Sequence, residues 1–367
     1  YDLSLNHISK KNSFKKMKRA LVTGVTGQDG AYLSKFLLEK GYKVYGTFRR
    51  VSTPNFWRLQ TLDIYSKIHL IPADLYDMGS LLEALKVSDP DEVYNLGASS
   101  YVGNSFEQAA ANAEINGIAV TKFLEAILHQ SPDIKFYQAS TSEMFGNSKC
   151  KTQNEETPFS PASPYAVSKL YAHWITDLYR KSYKMFSCCG VLFNHESPIR
   201  GLEFVSRKIT NGAVKISLGL NDKLVLGNLK AKRDWGFAGE YMAAIHKIMQ
   251  QNKPENFVIS TGESHSVSEF AKEAFDLVGL NWKKYVKSDK KFFRPYELHD
   301  LRGNSKKAVK HFKWKPKITF KKLVKIMVDA DLKRWNDFLN GKVFPWDAPL
   351  YPDESNLITR LSNREKN

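Results

Sequence analysis

A doubly wound α/β fold is predicted for these 367 residues, on three observations. Short apolar runs of strand length alternate with amphipathic helical segments from Lys18 to about Phe193. The first run ends in a glycine-rich turn that leads straight into a helix. Beyond about Asn194 the alternation loosens, which predicts a smaller, discontinuous C-terminal substrate-binding lobe beside a Rossmann-like parallel sheet.

Each element has its own warrant. Lys18–Gly24 is a short apolar run closing on glycine, as a strand buried on both faces requires. The helix after it carries Tyr32, Leu33, Phe36, Leu37 and Leu38 along one side and stops at Gly41. Lys43–Phe48 is the second strand and Ile68–Ala73 the third, followed by a helix over Met78–Lys86. Strand Glu92–Leu96, helix Ala113–Leu128 and strand Ile134–Ser140 repeat the pattern. A long loop then precedes a helix from about Pro164 to Tyr183 and a strand at Phe186–Phe193. Residues 195–235 are dominated by glycine and charge, and Phe257–Ser260 reads as a late strand returning to the sheet. Helices over Val267–Leu277, Ser305–Phe312 and Phe320–Trp335 complete the lobe.

Composition narrows the class. A hydrophobic fraction of 42% supports a proper core, and no apolar run approaches the length of a membrane span. The stretch before Met17 lacks the apolar block of a secretory signal, and Met17 reads as the start, with residues 1–16 an extension. Residues 341–367 hold Pro345, Pro349 and Pro352 and read as an irregular tail. Cys150, Cys188 and Cys189 are an odd number without metal-ligand spacing, which points to a reducing cytoplasm and to no metal site. The formal charge of +17 is spread along the chain without an Arg-rich or aromatic-interleaved patch. It reads as a solvated basic surface rather than a nucleic-acid interface.

Gly24-Val25-Thr26-Gly27-Gln28-Asp29-Gly30 sits between the first strand and first helix, the context that a dinucleotide fingerprint demands. Gly24 permits the turn, Gly27 lets backbone approach a pyrophosphate, and Gly30 lets helix pack on strand. The second strand ends in Arg49-Arg50 where an acid would bind the ribose 2′-hydroxyl of NAD, so the pattern favours NADP. Asp74-Leu75 closes the third strand, placed for the adenine. Leu96-Gly97-Ala98-Ser99-Ser100 closes the fourth with small residues where backbone passes a cofactor. Residues 17–194 are thus expected to form an NADP-binding domain, with 195–340 mainly the substrate lobe.

Tyr165 and Lys169 are one helical turn apart on one face. A lysine beside a tyrosine lowers the phenol pKa, and a phenolate can take a sugar hydroxyl proton as hydride leaves. Thr141, at the end of the fifth strand, can share that proton network. Glu143 has no use in a plain dehydrogenase. It suits a base that removes the proton beside a new ketone and expels water, as in a nucleotide-sugar dehydratase.

On these residues the chain resembles the extended short-chain dehydrogenase/reductases, and within them the GDP-mannose 4,6-dehydratases. The likeness runs from about Met17 to Trp335. It includes Tyr137-Gln138-Ala139-Ser140-Thr141-Ser142-Glu143 and Ser163-Pro164-Tyr165-Ala166-Val167-Ser168-Lys169. Leu192-Phe193-Asn194-His195-Glu196-Ser197-Pro198, Arg233-Asp234-Trp235-Gly236 and Phe293-Arg294-Pro295 continue it in order. The resemblance implies a cycle with NADP: oxidation at C4 of the mannose, loss of water across C5 and C6, and hydride return to C6. The product would be GDP-4-keto-6-deoxy-mannose, an entry to GDP-fucose and related deoxysugars. Dehydratases of dTDP- or UDP-glucose typically have Asp where Ser142 stands here, so Glu143 would serve both elimination roles. His195 and Arg200 would lie at the cofactor. Asn194, Lys208, Arg233, Arg294 and Glu297 would hold the GDP half, with Ser100 and Ser142 also binding the substrate. A homodimer or tetramer is also implied.

The chain departs from that pattern at Ile199, where the family usually has arginine, at Ser99 for glutamine, and at Ala111 for tyrosine. The loop Val51–Arg58 differs as well, which bears on the tetramer rather than the reaction. Alternatives are a dehydratase of another GDP-sugar such as a heptose, or a GDP-4-keto-6-deoxy-mannose reductase, which would not need Glu143. A non-catalytic NADP-binding or nucleic-acid-binding protein would have no reason to keep Thr141, Glu143, Tyr165 and Lys169 together.

Overall fold

A computed structural model describes residues 17–52 and 55–345. The expected extension 1–16, Thr53 and Pro54, and the tail beyond residue 345 lie outside the described residues. The predicted doubly wound fold is present. Seven strands form one sheet: β1 (Arg19–Thr23), β2 (Lys43–Phe48), β3 (His69–Pro72), β4 (Glu92–Asn95), β5 (Lys135–Thr141), β6 (Ser187–Leu192) and β7 (Phe257–Ile259). Their order is β7-β6-β5-β4-β1-β2-β3, with every pairing parallel. The chain order reverses at β1, between β2 and β4. Such a switch point leaves a crevice beyond the strand C-termini, where ligands bind in open α/β sheets.

The strands read as apolar runs because helices cover both faces. On one face α1 (Gln28–Glu39) packs Leu33 and Leu37 into a core shared with Val22, Val44 and Leu70. On the other, α2 (Met78–Ser88), α3 (Ala119–Gln130) and α4 (Pro164–Tyr183) bury Leu81, Leu85, Phe123, Ile127 and Ala172 against Leu21, Val93 and Phe136. The predicted helix at 113–128 begins earlier, at Ala109, and passes through a π-helical turn at Glu114–Ile118 before α3.

Two long helices escaped the sequence reading, besides short ones at Trp57–Thr61 and Trp282–Tyr285. α5 (Val205–Ser217) carries an apolar stripe through Ile209, Ala213 and Ile216, with Ser206, Arg207 and Thr210 buried beside it, but it lies in sequence dominated by glycine and charge. α6 (Ala238–Met249) also carries a stripe, through Tyr241, Met242, Ile245, Ile248 and Met249, but it lies inside sequence read as lobe. That stripe joins the α1 side of the sheet, together with Ala308 of α8 (Lys306–Phe312) and Trp314. The range 195–340 is therefore interrupted by segments that belong to the sheet layers. The lobe itself is built on α5, α7 (Val267–Asp276) and α9 (Phe320–Leu339), around Ile209, Phe270, Phe275, Leu323 and Met327.

Candidate active site

A cleft of about 950 Å³ opens over the C-terminal ends of β1, β4, β5 and β6 and is closed by the lobe. Gly24 turns there at φ +65°, and a Cβ on it would lie 2.8 Å from Gly97 Cα, so two strand ends meet at backbone contact. Gly27 is the N-cap of α1 and offers no side-chain cap to the first helical N–H groups. Those donors and the positive helix end suit a pyrophosphate. Thr26, Gln28, Asp29 and Gly30 line the cleft beside them, with Leu96, Gly97, Ala98 and Ser100 opposite.

β5 delivers Thr141 to this crevice. Its hydroxyl accepts the Glu143 N–H at 3.3 Å, which caps a single 3₁₀ turn over Ser142–Phe145. The turn swings Glu143 into the cleft, and Gly146 ends it at φ 59°, ψ −144°, a region that is essentially glycine-only. A Cβ at Gly146 would overlap the Ser160 carbonyl oxygen. Glu143 is buried, with Arg294 Nη1 at 3.0 and 3.2 Å from its two oxygens and Arg233 Nε at 3.8 Å. Burial alone would raise its carboxyl, but Arg294 and Arg233 outweigh burial and hold it below the usual range.

Tyr165 and Lys169 come from the first turns of α4, which starts at its Ser163 cap and Pro164. Burial pushes the Tyr165 phenol up to about 12, against a hydrogen bond with Thr141 that lowers it. Burial also brings Lys169 down to about 8. The Lys169 ammonium donates to the Ala139 carbonyl at 3.1 Å. The expected depression of Tyr165 does not prevail in this arrangement: burial outweighs it, and the phenol stays protonated at neutral pH.

His195 spans sheet domain and helix α1. Its Nδ1 meets the Phe193 carbonyl at 2.7 Å and its Nε2 meets Asp29 Oδ2 at 2.8 Å. Both partners only accept, so both ring nitrogens must donate and the ring is an imidazolium. Burial opposes that charge, but Asp29 prevails and the His195 pKa is raised, while Asp29 is lowered to about 2. Arg200 Nε lies 3.1 Å from Glu196, and its guanidinium covers the Phe204 ring at 3.5 Å. Asn194, Lys208, Arg233, Arg294 and Glu297 line the same cleft, together with Ser142.

Four of the sequence-predicted positions stand apart. Arg49 and Arg50 are exposed just past the end of β2 and, like Asp74 and Leu75, are not among the cleft-lining residues. Asp74 is occupied in a turn, accepting the Tyr76 N–H at 3.1 Å, and Leu75 packs where a Cβ on Gly97 would strike it. Among the described residues no cluster of His, Cys, Asp and Glu could hold a metal. No helix among them is long and apolar enough to cross a membrane.

The sequence profile of the family described as GDP-mannose 4,6 dehydratase matches residues 21–327. The chain belongs to this dehydratase family. GDP-mannose 4,6 dehydratase 1 of Arabidopsis thaliana is 50% identical over 331 residues, covering 87% of this chain and 91% of that protein. The Homo sapiens GDP-mannose 4,6 dehydratase is 43% identical over 339 residues, covering 86% and 91%. In fold the chain is similar to dTDP-glucose 4,6-dehydratase of Bacillus anthracis in complex with NAD (TM-score 0.77, 22% identity, 87% and 98% covered). It is similar also to RMD of Pseudomonas aeruginosa complexed with NADPH (TM-score 0.71, 21% identity, 86% and 100% covered).

For this member of the dehydratase family the cleft adds residues that sequence reasoning missed. Lys291, Asn228, Tyr101 and Glu203 also line it. Lys291 was findable: it belongs to a basic-aromatic run ending in the quoted Phe293-Arg294-Pro295. Tyr101 and Glu203 carry no comparable signal.

Proposed function

We propose that the chain is an NADP-dependent GDP-mannose 4,6-dehydratase, forming GDP-4-keto-6-deoxy-mannose. One observation carries the reading: a buried carboxylate, Glu143, shares a cleft with Thr141, Tyr165 and Lys169 in a member of this family. NADP, when bound, accepts and returns the hydride. The uncapped start of α1 and the glycine-to-glycine contact at Gly24 and Gly97 fit its pyrophosphate, and Arg49 and Arg50, with no acid beside them, favour its 2′-phosphate. His195 and Arg200 would flank it.

Tyr165 takes the C4 hydroxyl proton, relayed through the Thr141 hydroxyl bonded to it. A phenol held near 12 needs positive charge close by to ionise, and Lys169 can supply it by leaving the Ala139 carbonyl. Glu143 then removes the C5 proton, made acidic by the C4 ketone, and passes it to the C6 hydroxyl as that departs as water. Lys208, Arg233, Lys291 and Arg294 would face the GDP diphosphate, which two or more guanidinium and ammonium groups can neutralise.

A homodimer is part of the proposal. Val167, Tyr171, Trp174 and Leu178 stand exposed on one face of α4 at helical spacing, with Ile118 also exposed before α3. Cys150, Cys188 and Cys189 are free thiols, which fits a reducing cytoplasm. Residues 17–194 with the segments around α6, β7 and α8 would be the cofactor domain, the remainder of 195–340 the substrate lobe. The deciding experiment incubates the protein with GDP-mannose without added cofactor and weighs the product. Loss of one water is expected; an unchanged mass that persists after NADP is added would refute the substrate.

A further inference from the structure

Glu143 faces charge from several elements, and the two arginines beside it are not equivalent. Arg233 is fixed: its Nη1 donates to the Lys232 and Leu298 carbonyls at 2.8 and 3.1 Å, and the residue is 7% exposed. Arg294 is different. Its side chain is 29% exposed and stands on the irregular stretch between Phe292 and Asp300, and its Nη1 donates to both Glu143 oxygens. Its backbone is anchored separately, since its N–H donates to Glu297 Oε1 at 2.7 Å. The side chain can therefore swing while the main chain stays. Tyr165 is the acid facing Glu143 from α4, and Glu297 faces Arg233 from the same irregular stretch as Arg294.

A carboxylate with one guanidinium nitrogen seated between its two oxygens is a poor base, because its charge and the lone pairs between those oxygens are already engaged. The same guanidinium lines the cleft that Lys208 and Lys291 also line. A diphosphate entering there presents a denser negative charge than one carboxylate, at a place more open to solvent. We propose that Arg294 is a two-position residue: it caps Glu143 in the free protein and transfers to the substrate diphosphate on binding, so that the base is uncovered only when a nucleotide sugar is in place. This rests on the diphosphate-binding role given to the cleft above and assigns Arg294 a second task there. Water elimination is then gated by nucleotide binding, and Arg233 remains behind as the single charge steadying Glu143.

The exchange has a proton signature. Free Glu143 is held ionised by two guanidiniums; with one removed, its affinity for a proton rises, so binding takes up protons at acid pH. The probe is GDP itself, titrated calorimetrically into the whole protein at about pH 5 in two buffers of different ionisation enthalpy. Wild type is expected to take up more protons per GDP than Glu143→Gln, and Arg294→Met is expected to erase that difference, since its Glu143 is uncapped from the outset. Equal proton uptake by wild type and Glu143→Gln would overturn the exchange while leaving the dehydratase reading intact. Absence of any GDP binding would instead remove the nucleotide-sugar reading, and the exchange with it. As a second readout, the acid limb of kcat is expected at higher pH than that of kcat/KM in wild type, and the two should coincide in Arg294→Met. A mere rise in KM with both limbs unmoved would make Arg294 a simple binding residue.

Discussion

In the proposed mechanism Glu143 and Tyr165 divide the chemistry between them, and substitution should separate their parts. Glu143→Gln is expected to slow water loss by about 10²–10⁴-fold while hydride removal from C4 continues, seen as reduced-nicotinamide absorbance that builds and persists. Tyr165→Phe should abolish that absorbance and the dehydration together. Stopped-flow absorbance with mass detection of product makes the comparison. Both side chains were legible in the sequence because each follows a fixed landmark, the end of a strand or the start of a helix. Their electrostatics were not. The arginine on Glu143 lies 151 residues further along the chain, and Lys169 engages the Ala139 carbonyl. Sequence spacing reveals who shares a helix face; it does not reveal which long side chain crosses a cleft.

Helices α5 and α9 are joined by a buried ion pair, Arg207 Nη2 to Asp331 at 2.8 Å, with each partner 1% exposed. Arg207 also donates to the Pro198 and Arg200 carbonyls, and Arg334 adds a second bond to Pro198, so the pair holds the loop that carries Arg200. Asp331→Ala should lose about 3–5 kcal/mol, because it strands a buried guanidinium; urea unfolding reads the loss. The stripe of Ile209, Ala213 and Ile216 on α5 was legible in the sequence, but the buried arginine at its start masked where the helix begins. In α4, His173 is buried, accepts from Asn256 and bonds Ser140 at 2.9 Å. Burial, with Arg180 adding to it, takes its pKa from 6.5 down to about 4. Unfolded chains thus bind the proton first as pH falls. Stability from this residue is complete above 6.5, is lost between 6.5 and about 4, and changes no further below. Replacing His173 by Gln should flatten the pH slope of unfolding free energy across that window, as denaturation at several pH values would measure.

At the scale of the molecule, the homodimer proposed above would rest on the exposed apolar face of α4. Trp174→Glu combined with Leu178→Glu should convert a dimer into a monomer in sedimentation velocity, with the sheet domain still folded. The sheet was legible almost strand by strand, because strands covered on both faces must be apolar runs. The division into lobes was less so: α6 and α8 return to the sheet from within sequence that otherwise builds the substrate side, and local composition carries no trace of that crossing. The turn after Glu143 has a historical consequence. Position 143 can change its chemistry by one replacement and leave a folded protein without elimination, whereas no side chain fits at Gly146. Descendants of such a chain are free to lose the reaction long before they can lose the bend that once aimed it, so a relative with glycine there and no acid three residues earlier would be a fossil of this activity.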